Sequence, residues 1–524
     1  MEDFSLGGID IGIVIAYFLL VLLIGLSVAR KNKTDEDLFL GGRTFTWGLI
    51  GLSIFASNIS SSTIIGLSGV AYSSGVVQSV YEWMSGIPLI VAAAIFIPLY
   101  LKAKITTIPE YLSLRYDDRS RMFFSAMTIF MSVVIEMAGG LYAGALVLQS
   151  FFPGLVLWQT CFFLAAFAGI YTAAGGLRAV VYTDAIQAVI LILGCSYLTY
   201  VLFAELDFDW ARVVASVPEG HLSMVRPIDD PTLPWAGLLI GVPFMSFWYF
   251  TTNQFIVQRI LGSKDVRHAR WGMMFAGFLK VIPLFLMVIP GVLAISVLPG
   301  IENPDLVFPT AMKEFLPVGI IGLVLAGLVS AIMSSVDSIL NSSSTLIVID
   351  FIKPRNPTFT SKQLVQYGRV ITIILTIFAA LWAPQIANFE GLWDYLQQMF
   401  SIVVPPIIVI FLIGVFFKRG NGYGSIMTLT LGTLFGVTLF VLEQFDLWHV
   451  HYTINVGIMI LFSTLVFVIA SYQRPAPELS RIENLTYDNS LLGEGMEGLP
   501  WYKDYRTHAF FLVLLILWIL ITFW

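Results

Sequence analysis

Long apolar stretches separated by short polar gaps fill the whole chain. Fourteen of them approach or exceed the roughly 20 apolar residues that a helix needs to cross a bilayer. They lie near 9–29, 46–74, 78–101, 122–150, 154–175, 179–203, 234–258, 270–298, 315–349, 365–384, 388–416, 422–443, 450–471 and 507–524. The gaps alternate in character. Of the 28 Lys and Arg residues, 24 fall in seven segments: Arg30 to Arg43, Lys102 to Arg121, Arg178, Arg259 to Arg270, Lys353 to Arg369, Lys418 with Arg419, and Arg474 to Arg506. The gaps between these hold only Arg212, Arg226 and Lys313, while Lys280 lies inside a run. Positive loops are retained on the cytoplasmic side. The pattern predicts an all-α membrane protein with 14 transmembrane helices and both termini outside. Run count and charge side agree, because an even number of crossings that starts outside also ends outside.

Two runs are poor helices at their centres. The second reads GLSIFASNISSSTIIGLSG, with Ser53, Ser57, Asn58, Ser60, Ser61, Ser62 and Thr63 clustered mid-run. The seventh reads GVPFMSFWYFTTNQ, with Pro243, Ser246, Thr251, Thr252 and Asn253. Unwound backbone at membrane depth is tolerated only where it lines a protein cavity. Interrupted helices at matching places in two repeats mark a transporter binding site at the midplane. Breaks five helices apart fit a five-plus-five inverted repeat over runs two to eleven.

Composition narrows the class further. The chain is 57% hydrophobic and 12% charged, where a soluble domain carries about 25% charged residues. No basic stripe is interleaved with aromatics, so nucleic acid is not expected as a partner. Cys161 and Cys195 lie inside apolar runs and read as small packing residues, not as a disulfide framework. Glu2 and Asp3 precede the first run, which therefore lacks the basic start of a signal peptide. Residues 204–233 are rich in Asp, Glu and Pro and predict a small external cap. Residues 472–506 predict an inner linker before a final anchoring helix. Asn484-Leu485-Thr486 fits a glycosylation sequon but falls on the predicted inner side. Gly41-Gly42 and Gly175-Gly176 read as turn or close-packing signals. No zinc spacing, phosphate-cradling glycine loop or nucleophile–base pair occurs, so an enzyme is not expected.

Five of the ionisable residues within the runs stand out: Glu82, Glu136, Asp184, Lys280 and Asp337. Such groups are costly in lipid and functional by default; the bland reading is an interhelical pair or a group that snorkels to water. Glu82 and Lys280 carry opposite charges and suit pairing. A cavity lined by this acid and base also suits a polyhydroxylated solute, because hydroxyls donate and accept. Gln397, Ser85, Tyr249, Trp248 and Phe250 are candidates to complete it. In the ninth run, Ser334, Ser335, Asp337, Ser338 and Asn341 crowd one helix. Small hydroxyl residues often serve helix packing, which leaves Asp337 unexplained. Hydroxyls together with unwound carbonyls of Ala56 and Ile59 form an oxygen set for a hard cation such as Na⁺. Asp184 is either a cation-attracting group near the inner face or a partner for Arg178.

ASNISSSTIIGLSG, YEWMSG, TIPEYL, GGLRAVVYTDAIQ, NQFIVQR, FLK and SAIMSSVDSILNS together resemble the sodium–solute symporter family, in particular its sodium/glucose cotransporter branch. The resemblance covers nearly the whole chain. It implies a LeuT-like 5+5 inverted repeat with one preceding and three following helices, and sodium-driven transport. The sodium site it implies uses carbonyls of Ala56, Ile59 and Ala331 and hydroxyls of Ser334 and Ser335, with Asp184 near the sodium exit. Solute contacts would fall on Glu82, Ser85, Lys280 and Gln397. Tyr249 would close the site from inside, held by Asn58, and Leu67, Tyr81 and Trp393 would form the outer gate. Thr63, Ser246, Phe250 and Glu136 stand where sugar carriers of the family have glutamine, asparagine, tryptophan and asparagine. Asp337 replaces the usual small residue, and with Asp184 and Ser338 suggests a second sodium site.

The resulting expectation is a plasma-membrane symporter that imports a small hydroxylated solute with Na⁺ by alternating access. Its parts would be an N-terminal extra helix and loop (1–43), an inverted-repeat core (44–416) and C-terminal peripheral helices (417–524). Alternatives are the same fold carrying a carboxylate, amino acid or other charged organic solute, and a non-transporting solute sensor.

Overall fold

The computed structural model describes residues 6–29, 34–152, 154–388 and 392–524. Helices make up the described secondary structure apart from two isolated bridges, Phe45 with Ser263 and Arg226 with Pro234. Among the described residues, 11 helices are long and apolar enough to span a membrane, or 12 if the bent pair Trp47–Asn58 and Thr63–Ser74 is one span. The fifth and seventh runs instead form shorter apolar helices, Leu157–Ile170 and Trp235–Thr251. The count of full-length spans is therefore below the expected fourteen, and the reasons are local. The fifth and sixth runs join in one helical stretch, Leu157–Ala204, that turns at Gly176. There φ is +56°, and a Cβ would lie 2.4 Å from the Leu38 carbonyl oxygen, so only glycine fits the turn. The seventh run is interrupted near Ile240 and again at Thr252 and Asn253.

The packing is that of a protein solvated by lipid. Leu193, Ile374, Leu381, Leu461 and Ile521 are exposed on the helices, whereas Asp184, Arg259, Lys280 and Asp337 are at most 1% exposed. Helix association in a bilayer relies on close packing and interhelical hydrogen bonds. Accordingly, the long helices 157–204 and 320–346 pack along one another at the centre.

The seven positive segments interlock at one end. Arg43 donates to the carbonyls of Leu261 (3.0 Å) and Ile105 (3.2 Å). Arg178 donates to Gly41 (2.8 Å), and Lys353 pairs with Asp35 (3.6 Å). Arg115 reaches Gly420 (2.8 Å) and Gly414 (3.0 Å), and Arg270 reaches Glu494 (2.5 Å). The guanidinium groups satisfy carbonyls that helix ends leave without partners. Residues 472–506 are thus not a free linker: they are clamped by Arg270, by Tyr111, which donates to Leu485 (2.6 Å), and by the Val415 carbonyl, which accepts from Tyr487 N–H (3.0 Å).

The opposite end gathers the other gaps. Asp10 accepts from the backbone N–H groups of Gly319 (2.7 Å) and Gly322 (2.8 Å), and Met224 N–H donates to Phe523 (2.7 Å). The predicted cap 204–233 sits on the end of the second run: His221 accepts from Val76 N–H (2.8 Å), and Arg226 donates to Ser74 (2.7 Å).

Candidate functional site

The second run breaks where its polar cluster predicts. The Trp47–Asn58 helix ends at Ile59, which is extended (φ −89°, ψ 96°). Ser60 then caps the next helix by accepting from Thr63 N–H (3.2 Å). The two halves are bent by 59°. Such a break frees terminal carbonyls from the helical ladder. The Ser335 hydroxyl lies within hydrogen-bond reach of two carbonyls, those of Ser57 (3.1 Å) and Ala331 (3.2 Å). It therefore ties the broken second run to the ninth.

Beside this tie, Asp184 of the sixth run receives hydroxyl hydrogen bonds from Ser53 (2.5 Å), Ser57 (3.0 Å) and Ser334 (2.6 Å). The Ser57 hydroxyl also lies 2.8 Å from that of Ser338 and 3.2 Å from that of Ser334. Arg259, fully buried, donates Nη1 to the Ser53 carbonyl (3.1 Å) and Nη2 to Ser338 Oγ (2.9 Å). Its charge acts on both Asp184 and Asp337. The junction thus presents carbonyl, hydroxyl and carboxylate oxygens in a setting shielded from lipid. That chemistry fits a hard cation and offers little to a soft one. Among the described residues, no group of three or more His, Cys, Asp or Glu could hold a metal ion.

A cavity of about 140 Å³ adjoins the junction. Ser57 and Ser335 line it, so the two regions share a wall. Asn58, Thr63, Glu82, Ser85 and Gln397 supply polar groups, and Trp248, Tyr249, Phe250 and Phe400 supply aromatic faces. A largely apolar pocket with a few convergent polar groups is the usual form of a small-molecule site. Ser85 Oγ sits 2.6 Å from the Tyr81 carbonyl and 3.2 Å from Ser246 Oγ. Tyr249 and Asn58 both line the cavity.

The sodium:solute symporter family model matches residues 38–432. The chain belongs to the sodium:solute symporter family. It is 33% identical over 478 residues to the sodium/glucose cotransporter 4 of Danio rerio, covering 84% of this chain and 73% of that one. It is 35% identical over 472 residues to the sodium/myo-inositol cotransporter 2 of Homo sapiens, covering 83% and 70%. Among solved structures, a Na⁺-coupled sialic acid symporter in a substrate-bound outward-open state matches with a TM-score of 0.80 at 24% identity, over 90% of this chain and 100% of that one. Mhp1, a nucleobase-cation-symport-1 family transporter, matches with a TM-score of 0.57 at 13% identity, over 87% and 99%. These two likenesses concern the fold. The protein is a multi-pass, sodium-coupled solute symporter and not an enzyme.

Most of the expected site residues of this symporter converge on the junction and the cavity. Ala56 and Ile59 are buried at the break, while Ala331, Ser334 and Ser335 face it from the ninth run. Glu82, Ser85, Glu136, Ser246, Tyr249, Thr63, Asn58, Gln397 and Tyr81 line the cavity. Lys280 departs from expectation. It does not line the cavity but lies behind its wall, 1% exposed, donating to Glu82 and to Asn58 Oδ1. Burial of a lysine without a counter-charge would be costly, and pairing with Glu82 answers that cost. Leu67 is buried without lining the cavity, and the side chain of Trp393 lies outside the described residues. Asp184 is not the partner of Arg178, which approaches Asp37 (3.5 Å) instead.

Two participants do not stand out in the residue order. Arg259 has the position of an inner-loop charge, yet every residue of its helix, Gln254–Leu261, is buried. The available signal is an arginine flanked by the apolar residues Phe255, Ile256, Val257, Ile260 and Leu261. Tyr452, from the C-terminal part, shares a hydrogen bond with Tyr81 (2.9 Å) at the cavity edge.

Proposed function

We propose that this symporter imports a small hydroxylated solute, a sugar or polyol, together with Na⁺ across the plasma membrane by alternating access. Fourteen crossings, a LeuT-like 5+5 inverted repeat within 44–416 and both termini outside complete the reading. Helices at all fourteen runs and the gathering of positive segments at one end support it. Residues 1–43 and 417–524 flank that core.

Sodium is held by the carbonyls of Ala56, Ile59 and Ala331 and the hydroxyls of Ser334 and Ser335. Asp184 stands at the exit, and Asp337 with Ser338 offers a second position. The solute contacts Glu82, Ser85, Thr63, Asn58, Ser246 and Gln397. Tyr249 closes the cavity from inside, and Tyr81, Leu67 and Trp393 close it from outside. Lys280 acts through Glu82, fixing the carboxylate that meets solute hydroxyls. With Lys280 already paired, the wall presents no spare lysine to a carboxylate cargo, which favours hydroxylated solutes. The relatives described as sodium/glucose and sodium/myo-inositol cotransporters point to the same class.

The shared wall of junction and cavity carries the proposal, since Ser57 and Ser335 belong to both. A cation there draws the second and ninth runs together and shapes the cavity in the same act. Coupling requires each ligand to distinguish the two arrangements, because equal affinity shifts nothing. The membrane potential adds about 2.3 kcal/mol per charge per 100 mV. Uptake of labelled D-glucose and myo-inositol into proteoliposomes, with and without an inward Na⁺ gradient, tests the reading. Gradient-dependent accumulation of either supports it; equal uptake with and without Na⁺ contradicts it.

A further inference from the structure

Among the described residues, the cavity contains one acidic group, Glu136, that no cation balances. Glu136 sits on a π-helical turn, Met131–Met137, in the fourth run, and such turns are frequent at functional sites. Glu136 is one of the residues that line the cavity. Asn253 Nδ2 approaches Oε1 at 3.4 Å. Oε2 is buried and has no hydrogen-bond partner among the described residues. The buried cations Lys280 and Arg259 are engaged elsewhere: Lys280 with Glu82 and Asn58, and Arg259 with Ser53 and Ser338.

A desolvated carboxylate with a vacant oxygen asks for a cation or a proton. The surroundings favour an organic cation. Trp248, Tyr249 and Phe250 present aromatic surface to the same space, and aromatic faces attract ammonium groups. Ser85 and Gln397 line the same space and suit hydroxyls.

We propose that the preferred cargo is a hydroxylated amine, an amino sugar or amino polyol, whose ammonium group pairs with Glu136. This rests on the sodium-symport reading above and names the cargo within it. A consequence concerns charge: each amine carried adds one positive charge per cycle to those of the sodium ions.

Proteoliposomes with an inward Na⁺ gradient, held at about pH 6.5, below the usual range of an α-amino group, test it. The probes are labelled D-glucosamine, D-glucose and N-acetyl-D-glucosamine, whose amine is capped. D-glucosamine should enter with a KM roughly ten- to hundred-fold below the other two, as for a hydrogen bond to a charged group. Its charge-to-solute ratio should exceed that of D-glucose by one. Glu136→Gln should erase the preference, and Glu136→Asp should keep most of it. Na⁺-driven uptake with equal preference for the three probes overturns the amine assignment and leaves sodium symport standing. So does a preference that survives Glu136→Gln. Should Glu136→Gln be inactive, the parent's discrimination between D-glucosamine and its acetylated form decides. No Na⁺-driven uptake of any probe overturns both readings.

Discussion

At the junction of the second and ninth runs, Asp184 takes hydroxyl hydrogen bonds from three serines, Ser53, Ser57 and Ser334. Across the shared wall, Glu136 takes one amide contact at 3.4 Å and leaves Oε2 without a partner among the described residues. Both are acids within apolar runs, and both face polar neighbours, yet one is fully furnished and the other is not. The difference separates the two tasks of a symporter. A cation site benefits from oxygens that are already gathered and braced by further hydrogen bonds, since networks of this kind strengthen one another in low dielectric. A solute site stays incomplete until cargo supplies the missing partners, and the missing partners define the cargo.

Removal of the furnished acid should have the largest effect. Asp184→Ala strips an acceptor from three hydroxyls and a counter-charge from Arg259, so stability should fall by about 5 kcal/mol, the upper end for breaking a buried charge arrangement. Sodium-driven uptake should be lost with it. Thermal unfolding in detergent and proteoliposome uptake check both. A stable, active variant would break the comparison.

Lys280→Ala comes next. It leaves Glu82 buried without its partner, at about 3 kcal/mol, and should abolish solute binding. The double variant Lys280→Met with Glu82→Gln should recover stability but not uptake, which separates the structural part of the pair from its functional part. Recovery of uptake would show that neither charge serves the solute.

Tyr81→Phe should do least. It removes one hydroxyl from the pair with Tyr452 (2.9 Å), worth about 1 kcal/mol. Solute KM should change less than about ten-fold, with the sodium dependence unaltered. A changed sodium dependence would place Tyr81 in the cation path and blur the division between the two regions.

Much of this arrangement was legible from residue order, for reasons that lipid imposes. Spanning helices must be long and apolar, and positive loops must stay on one side, so the runs and the two ends of the bundle could be read directly. The breaks were legible because polar clusters such as Ser57 to Thr63, and Thr251 to Asn253, are poor helix at membrane depth. Asp184, Glu82 and Glu136 stood out by the cost of placing charge among apolar residues. Partner choice was not legible, because it depends on which helices meet. Arg178 and Asp184 are near in sequence but turn to different neighbours, Asp37 and the serine junction. Lys280 has the composition of a cavity residue and lies behind the wall. Arg259 has the spacing of a loop charge and is buried. Residues 472–506 look like a tether, but their carbonyls hold Arg270 and Tyr111 at the positive end.

The central claim, that a sodium ion is held where Ser335 ties the ninth run to the broken second run, can be tested without knowing the cargo. Ligands that bind only the folded state raise its apparent stability. The measurement is the thermal midpoint of the purified protein in NaCl and in KCl at equal ionic strength, for the parent and for Ser335→Ala. The parent should be more stable in NaCl, and Ser335→Ala should need about ten-fold more Na⁺ for the same shift, as expected for losing ~1.4 kcal/mol of ligation. Equal midpoints in the two salts, or a sodium shift untouched by Ser335→Ala, would contradict the account.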